Sequence, residues 1–372
     1  MIEDSQKKNL KIAIVAGEKS GDELGGPLME SLKSKNPSID FIGVGGPKMI
    51  SAGLVSQFDM DEIAVMGIIE PLLNLKKILR LRRELKNFLL RENPDLFIGI
   101  DSPDFNLPIA KFLKNKNRMK TVQYVSPSVW AWRKGRIKSM EKSVDSVFTI
   151  FPFEESAYSE SKIEVSYVGH PLSYKISMGK DEVDKKIDNS IALLPGSRKS
   201  EILQMGDLMV LAAKRLKAIN PQYSFYMPLA EESHIDLFKE SPMEIANISF
   251  GDSLDVLKKS KLSITTSGTA TLESVLSFTP CLTVYKTNWV SYILIKPLLQ
   301  IEFFSLPNLI LGDKFLPELL QREVTVKNIM KSIDSIEKKD GALYEEKFMH
   351  IKESLMAGGP EKASTEILKL LN

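Results

Sequence analysis

The chain has 372 residues, of which 43% are hydrophobic and 26% charged, and a formal net charge of +2 at pH 7. That length exceeds one ordinary core and fits two domains of roughly 150 to 200 residues each, while the composition is that of a folded globular protein. A net charge so near zero excludes a general polyanion binder, so no nucleic-acid partner is expected, and the single cysteine, Cys281, excludes an intrachain disulfide framework and suits a reducing cytoplasm.

Short β-rich runs alternate with longer helical patterns along the whole chain, the signature of parallel sheets covered by helices. The acidic start and the brief apolar run Ile12 to Val15 do not make a signal peptide. The first predicted strand, Lys11–Ala16, ends in Gly17-Glu18-Lys19-Ser20-Gly21-Asp22, a glycine-bracketed turn that opens a helix. Glu18 would repel a pyrophosphate, so this turn points to a sugar, amide or hydroxyl partner and not to a dinucleotide. The second strand, Asp40–Val44, runs into Gly43-Val44-Gly45-Gly46-Pro47, which reads either as a close approach to a ligand or as a tight structural turn.

Over residues 72–91 the apolar Leu75, Ile78, Leu81, Leu85, Phe88 and Leu89 share one helical face. Lys76, Lys77, Arg80, Arg82, Arg83, Lys86 and Arg91 stand against the lone acid Glu84. Two readings follow: a domain helix with a solvated charged face, and a basic amphipathic helix resting on an anionic membrane. The strand Leu96–Ile100 has an all-apolar approach and ends at Asp101. Two readings follow, Asp101 as a general base with Asp104 as the cap of the next helix, which is favoured, or both aspartates as caps. Strands at Thr121–Val125, Ser146–Phe151 and Val165–Val168 then feed Ser126-Pro127-Ser128-Val129-Trp130-Ala131-Trp132-Arg133, Phe151-Pro152-Phe153-Glu154 and Gly169-His170-Pro171. Trp130 and Trp132, beside hydroxyls, read either as an amphipathic floor for a sugar or acyl ligand or as core filler. His170 has no metal-ligand partner at short spacing and reads as structural; no metal site is legible.

The polar stretch Ser173 to Asn189 interrupts the pattern and is placed as the linker between halves. Beyond it, strands are predicted near Ser190–Leu194, Ser224–Pro228, Asn247–Phe250, Leu262–Thr266 and Cys281–Tyr285, with Cys281 as a small buried hydrophobe. The first of these enters Pro195-Gly196-Ser197-Arg198, followed at once by a helical pattern containing Glu201. Taken alone this is either an ordinary turn or an anion site, with Gly196 allowing close approach, Ser197 capping the helix and Arg198 offering a planar cationic fork. Ser267-Gly268-Thr269 makes a second hydroxyl-rich helix start. Glu273, one turn in, is suited to accept both hydroxyls of a ribose. Together they suggest a nucleoside diphosphate, with Asn308 as a candidate amide at the rim. Lys296 and Pro297 break the best apolar run between Trp289 and Leu311, so no span of a bilayer is expected and the protein reads as soluble or peripheral.

This set of motifs resembles the lipid-A-disaccharide synthase family. The likeness rests on Ala16 to Asp22, Met66-Gly67-Ile68-Ile69-Glu70, Gly99-Ile100-Asp101 with Asp104-Phe105-Asn106, Tyr124 to Arg133, Val168-Gly169-His170-Pro171, Leu193 to Arg198 with Glu201, Ser267 to Glu273, and Ser305-Leu306-Pro307-Asn308-Leu309. It implies an α/β fold of GT-B type, two Rossmann-like doubly wound domains facing across a cleft. Residues 1–172 would bind the acceptor, 173–345 the UDP-sugar, and 346–372 would be helices packing back toward the first domain. It implies an inverting transfer from UDP-2,3-diacylglucosamine to 2,3-diacylglucosamine 1-phosphate, giving the β-1,6 disaccharide and UDP without a cofactor or metal. Asp101 would be the base. Gly196, Ser197, Arg198, Glu201, Ser267, Gly268, Thr269, Glu273 and Asn308 would bind the UDP-sugar, and Glu18, Ser20, Met66, Ser126 and Trp130 would lie on the acceptor side. A peripheral place on the inner face of the inner membrane is implied, and a homodimer is allowed. Lys19, Lys48 and Lys286 depart from the family pattern, and Lys286 is left out of the site because an ammonium lacks the bidentate fork of an arginine. The competing readings are a UDP-sugar epimerase of the same fold and a non-catalytic UDP-sugar sensor.

Overall fold

Strand β1 (Lys11–Ala16) is apolar on both faces, and Ile12 to Ala16 are fully buried, as a central parallel strand covered by helices on both sides requires. In the computed structural model, which describes residues 10–63, 75–132, 134–176, 178, 183, 185–251, 253–289, 292–293, 296 and 301–371, it is joined by β2 (Asp40–Val44), β3 (Leu54–Ser56), β4 (Leu96–Ile100), β5 (Lys120–Tyr124), β6 (Ser146–Thr149) and β7 (Glu164–Tyr167). These form one sheet in the order β3-β2-β1-β4-β5-β6-β7 with parallel pairings throughout. A second parallel sheet contains β8 (Ile187–Leu194), β9 (Ser224–Leu229), β10 (Asn247–Phe250), β11 (Ser260–Thr266), β12 (Cys281–Tyr285) and β13 (Glu318–Leu320), in the order β10-β9-β8-β11-β12-β13.

Both sheets are doubly wound, and in each the order reverses beside the first strand, between β1 and β4 and between β8 and β11. Ligands of such sheets bind outside the carboxyl ends of the strands at that reversal. The register pairs Ala16 with Ile100 and Leu194 with Thr265. The chain leaving β1 therefore emerges next to Asp101, and the turn at Gly196 emerges next to Ser267.

The chain divides into two compact units, Met1–Pro171 with Met356–Asn372, and Leu172–Leu355. The final helix, Gly359–Leu371, belongs to the first. Its Ser364 hydroxyl lies 2.7 Å from that of Ser31 in the helix Lys19–Lys35, Glu361 accepts from Ser31 at 2.8 Å and pairs with Lys35 at 2.7 Å, and Ala363 and Ile367 are buried. The helices Val326–Glu337 and Gly341–Ser354 belong to the second, where Tyr344 and Phe348 pack against Phe315 with ring centroids 5.3 and 6.4 Å away. Cys281 is fully buried, and burial pushes its thiol up to about 12, so it is an inert core residue.

Two strands lie where the sequence predicts none. β3 and β13 are three-residue edge strands, too short to show an apolar period. The stretch placed as a linker also contributes to the second core: β8 starts at Ile187, and Lys186 is buried. Its Nζ lies within hydrogen-bond distance of the carbonyls of Leu257, Lys258 and Ser260 at 3.0, 3.2 and 2.9 Å and of Thr279 Oγ1 at 2.6 Å. Burial lowers this amine to about 7, and its N–H donors close the open carbonyl end of the helix Ser253–Lys259.

Candidate active site

At the reversal of the first sheet, Asp101 and Ser102 adopt φ angles of 49° and 38°. Consecutive left-handed residues other than glycine cost on the order of 1–3 kcal/mol each and persist only where the surroundings over-determine them. Here the Asp101 N–H donates to Tyr124 O at 2.9 Å, and its carbonyl accepts from the buried amides of Asn106 at 3.0 Å and Gln123 at 2.9 Å. The carboxylate is aimed as firmly: Oδ1 accepts the Ser102 N–H at 2.9 Å, and Oδ2 accepts the Ser20 hydroxyl at 2.9 Å. Ser20 and Asp101 are thus brought together from the turns after β1 and β4. Glu18 occupies the N-cap position of the helix Lys19–Lys35, half-buried and without a side-chain cap bond. The turn after β2 is structural, because buried Asp22 accepts the N–H groups of Lys48 and Met49, each at 3.0 Å. Met66 lies outside the described residues, as do Gly67 to Glu70 and Arg133.

Asp104 is not the helix cap that the sequence suggested. The cap position of the helix Pro103–Asn117 is Ser102, and the Asp104 carboxylate turns to Arg136, Oδ1 to Nη2 at 2.6 Å. A cavity of about 270 Å³ is lined by Asp101, Ser126, Ser128, Trp132 and Arg136, among others. Ser126 is buried, with its hydroxyl 2.6 Å from Tyr158 Oη. Of the two tryptophans only Trp132 lines this cavity. Trp130 instead donates its indole N–H to Glu154 Oε1 at 3.1 Å and meets Phe153 edge-on at 4.8 Å.

Glu154 carries weight that the sequence reading did not assign to it. Its Oε2 accepts the N–H groups of Ile150 at 2.9 Å and Phe151 at 3.0 Å, so one buried carboxylate fixes both the turn after β6 and the Trp130 loop. Burial raises its pKa to about 7 against the pull of those three donors. The available signal was an acid just after a strand, behind Phe151-Pro152-Phe153. Buried His170 lies with its ring 5.0 Å from Phe151, and burial lowers it to about 4, which keeps the imidazole neutral.

At the reversal of the second sheet, a cavity of about 450 Å³ is lined by Gly196, Ser197, Arg198, Glu201, Ser267, Gly268, Thr269 and Glu273, together with Leu229 and Ser253. That size suits a small-molecule ligand. Two helices, Lys199–Ile219 and Thr269–Leu276, start at its wall, so unsatisfied N–H groups converge on it. Gly196 has φ 112°, and a Cβ there would strike the Glu201 side chain. Arg198, not Ser197, holds the N-cap position: Glu201 accepts the Arg198 N–H at 3.3 Å and its Nη1 at 3.2 Å, and the arginine side chain remains 66% exposed. Ser267 lines the cavity, but its N–H donates to Val284 O at 3.3 Å and its hydroxyl to Phe304 O at 2.9 Å. The donors left at that helix start are the N–H groups of Gly268, Thr269 and Ala270. Glu273 accepts the Ser253 hydroxyl at 3.0 Å.

Asn308 is not at the rim. It is fully buried, its Oδ1 accepts the Leu316 N–H at 2.9 Å, and its Nδ2 donates to Leu316 O at 2.8 Å and Glu318 Oε1 at 3.0 Å. With the amide fully used, it clamps the segment entering β13. Among the described residues, no group of three or more His, Cys, Asp or Glu side chains is placed to hold a metal ion.

Residues 12–366 match the model of the lipid-A-disaccharide synthetase family. The chain belongs to that family. It is 39% identical to the lipid-A-disaccharide synthase of Idiomarina loihiensis over 99% of this chain and 100% of that one, and 39% identical to that of Alcanivorax borkumensis over 97% of each. In fold the chain is similar to a kitacinnamycin glycotransferase (TM-score 0.65, 14% identity, 98% of this chain and 100% of that one). It is also similar to UDP-GlcNAc 2-epimerase from Neisseria meningitidis (TM-score 0.64, 14% identity, the same coverage). At such identities the likeness is one of architecture, two parallel sheets in the α/β layout that GT-B glycosyltransferases share with those epimerases.

Proposed function

We propose that this chain transfers the sugar of UDP-2,3-diacylglucosamine to the 6-hydroxyl of 2,3-diacylglucosamine 1-phosphate, releasing UDP and forming the β-1,6 disaccharide. The observation that carries this reading is the strained, doubly held Asp101 at one sheet reversal, matched by an anion-receptive cavity at the other. As the acceptor oxygen attacks the anomeric carbon on the face opposite UDP, the bond from that carbon to the diphosphate oxygen breaks and the hydroxyl proton passes to Asp101. Ser20 and the Ser102 N–H fix the carboxylate so that little reorganisation is needed. Negative charge growing on the leaving diphosphate meets the N–H groups of the two helix starts and Arg198, which exchanges Glu201 for phosphate oxygens. Glu273, steadied by Ser253, accepts the ribose hydroxyls. In this reading the unit with Asp101 takes the acceptor and the unit with Arg198 takes the nucleotide.

UDP release from wild-type protein should depend on the acceptor; release or isomerisation without it would instead indicate an epimerase. Asp101→Ala should bind UDP normally and lose turnover, and unchanged turnover in that variant removes Asp101 from the base role. A non-catalytic sensor would show no turnover to lose. We also infer a peripheral site of action on the inner face of the inner membrane. In the helix Leu75–Glu92, Leu81, Leu85 and Leu89 are buried, whereas Leu75 and Leu79 are about half exposed among the basic side chains. Among the described residues no helix is long and apolar enough to cross a membrane. Sedimentation with anionic vesicles at low salt, lost at high salt, is the expected result; failure to sediment counts against it.

A further inference from the structure

Beside the Asp101 cavity, the first unit has a second hollow of about 660 Å³ between the helices Pro103–Asn117 and Arg136–Met140. The two hollows share Pro103 and Arg136, so Arg136 stands on a wall common to both, and Lys111 also lines the second. Arg136 is one-fifth exposed and, among the described residues, its ion pair is with Asp104, whose carboxylate is 86% exposed. Arg82 supports Asp104 from behind: its Nη2 donates to the Asp104 carbonyl at 2.9 Å, and its guanidinium lies over Phe105 at 5.6 Å. Lys111 forms no ion pair among the described residues. This cluster of cations around one exposed carboxylate has no part in the mechanism above.

We propose that Arg136, flanked by Lys111, binds the phosphate of the sugar acceptor, the Asp104 carboxylate holding that place until the acceptor arrives; this rests on the transfer reaction proposed above. An exposed ion pair is weak and easily exchanged. A phosphate dianion offers a guanidinium a bidentate, charge-assisted contact that a swinging carboxylate does not match. The acceptor carries its phosphate on C1 and its reacting hydroxyl on C6, as substituents of the two ring carbons that flank the ring oxygen, so a base and a cation on the walls of one hollow can meet both groups.

The test compares kcat/KM for 2,3-diacylglucosamine 1-phosphate and for phosphate-free 2,3-diacylglucosamine in wild type, Arg136→Ala, Arg136→Lys and Asp104→Asn. The preference for the phosphorylated acceptor should fall by about 10- to 100-fold in Arg136→Ala, chiefly through KM, and recover in part in Arg136→Lys. Asp104→Asn, which removes the competing carboxylate, should lower KM for the phosphorylated acceptor. Equal losses for both acceptors in the Arg136 variants overturn the assignment, as does an unchanged preference. If Arg136→Ala melts early, Arg136→Lys and Asp104→Asn decide. Wild-type protein that turns over neither acceptor overturns the transfer reaction itself, whereas normal wild-type turnover with an Arg136→Ala that keeps the wild-type preference overturns only the phosphate site.

Discussion

Arg198 and Asn308 show how far a residue's role depends on whether its hydrogen-bonding groups are already used. Arg198 is two-thirds exposed and, among the described residues, its guanidinium is held by Glu201 from its own first turn, so it can be redirected at small cost. Asn308 has no group left to offer, and Ser267 has used both its N–H and its hydroxyl. A sequence displays these polar residues alike, because nothing in Ser267-Gly268-Thr269 or Pro307-Asn308-Leu309 records which donors the fold consumes. If Arg198 meets charge that grows on the leaving diphosphate, Arg198→Ala should lower kcat by about 10²–10³-fold, measured as acceptor-dependent UDP release. Arg198→Lys should recover only part, since it keeps the charge and loses the fork.

Among elements, the loops after β5 and β6 form one assembly built on buried Glu154, which should be visible in the pH dependence of stability. Glu154 lies near 7 in the fold against about 4.3 in an unfolded chain, so folding takes up a proton between those values. Its contribution to stability is full below about pH 4 and is lost as the pH rises through about 7. His170, at about 4 in the fold against about 6.5 unfolded, runs the other way: its contribution is full above about pH 6.5 and is lost as the pH falls through about 4. Melting temperatures measured from pH 5 to 7.5 should therefore rise more steeply with pH in Glu154→Gln than in wild type, and less steeply in His170→Asn. Central strands such as β1 and β4 were legible because burial on both faces leaves unbroken apolar runs, and the turns that follow them could be read from glycine and hydroxyl chemistry. The edge strands β3 and β13 were not, nor was the tie from Trp130 to Glu154, which joins residues 24 apart through side chains that fit several bland roles.

For the molecule as a whole, the division at Pro171 and Leu355 gives each unit its own sheet and its own reversal point. A fragment spanning residues 172–355 should consequently fold and retain UDP binding while lacking Asp101 and any transfer activity. Saturating UDP, at about 100 times its Kd, should stabilise it by about 2.7 kcal/mol, read by thermal shift. The return of the helix Gly359–Leu371 to the first unit also sets an order of manufacture. On the ribosome, where domains form as they emerge, the second unit is whole once Leu355 is free, while the first still waits for the helix that covers Ser31 and Lys35. A chain cut before Gly359 should therefore keep the second unit whole and leave Ser31 and Lys35 of the first uncovered, so that UDP binding, read by thermal shift, outlasts transfer activity.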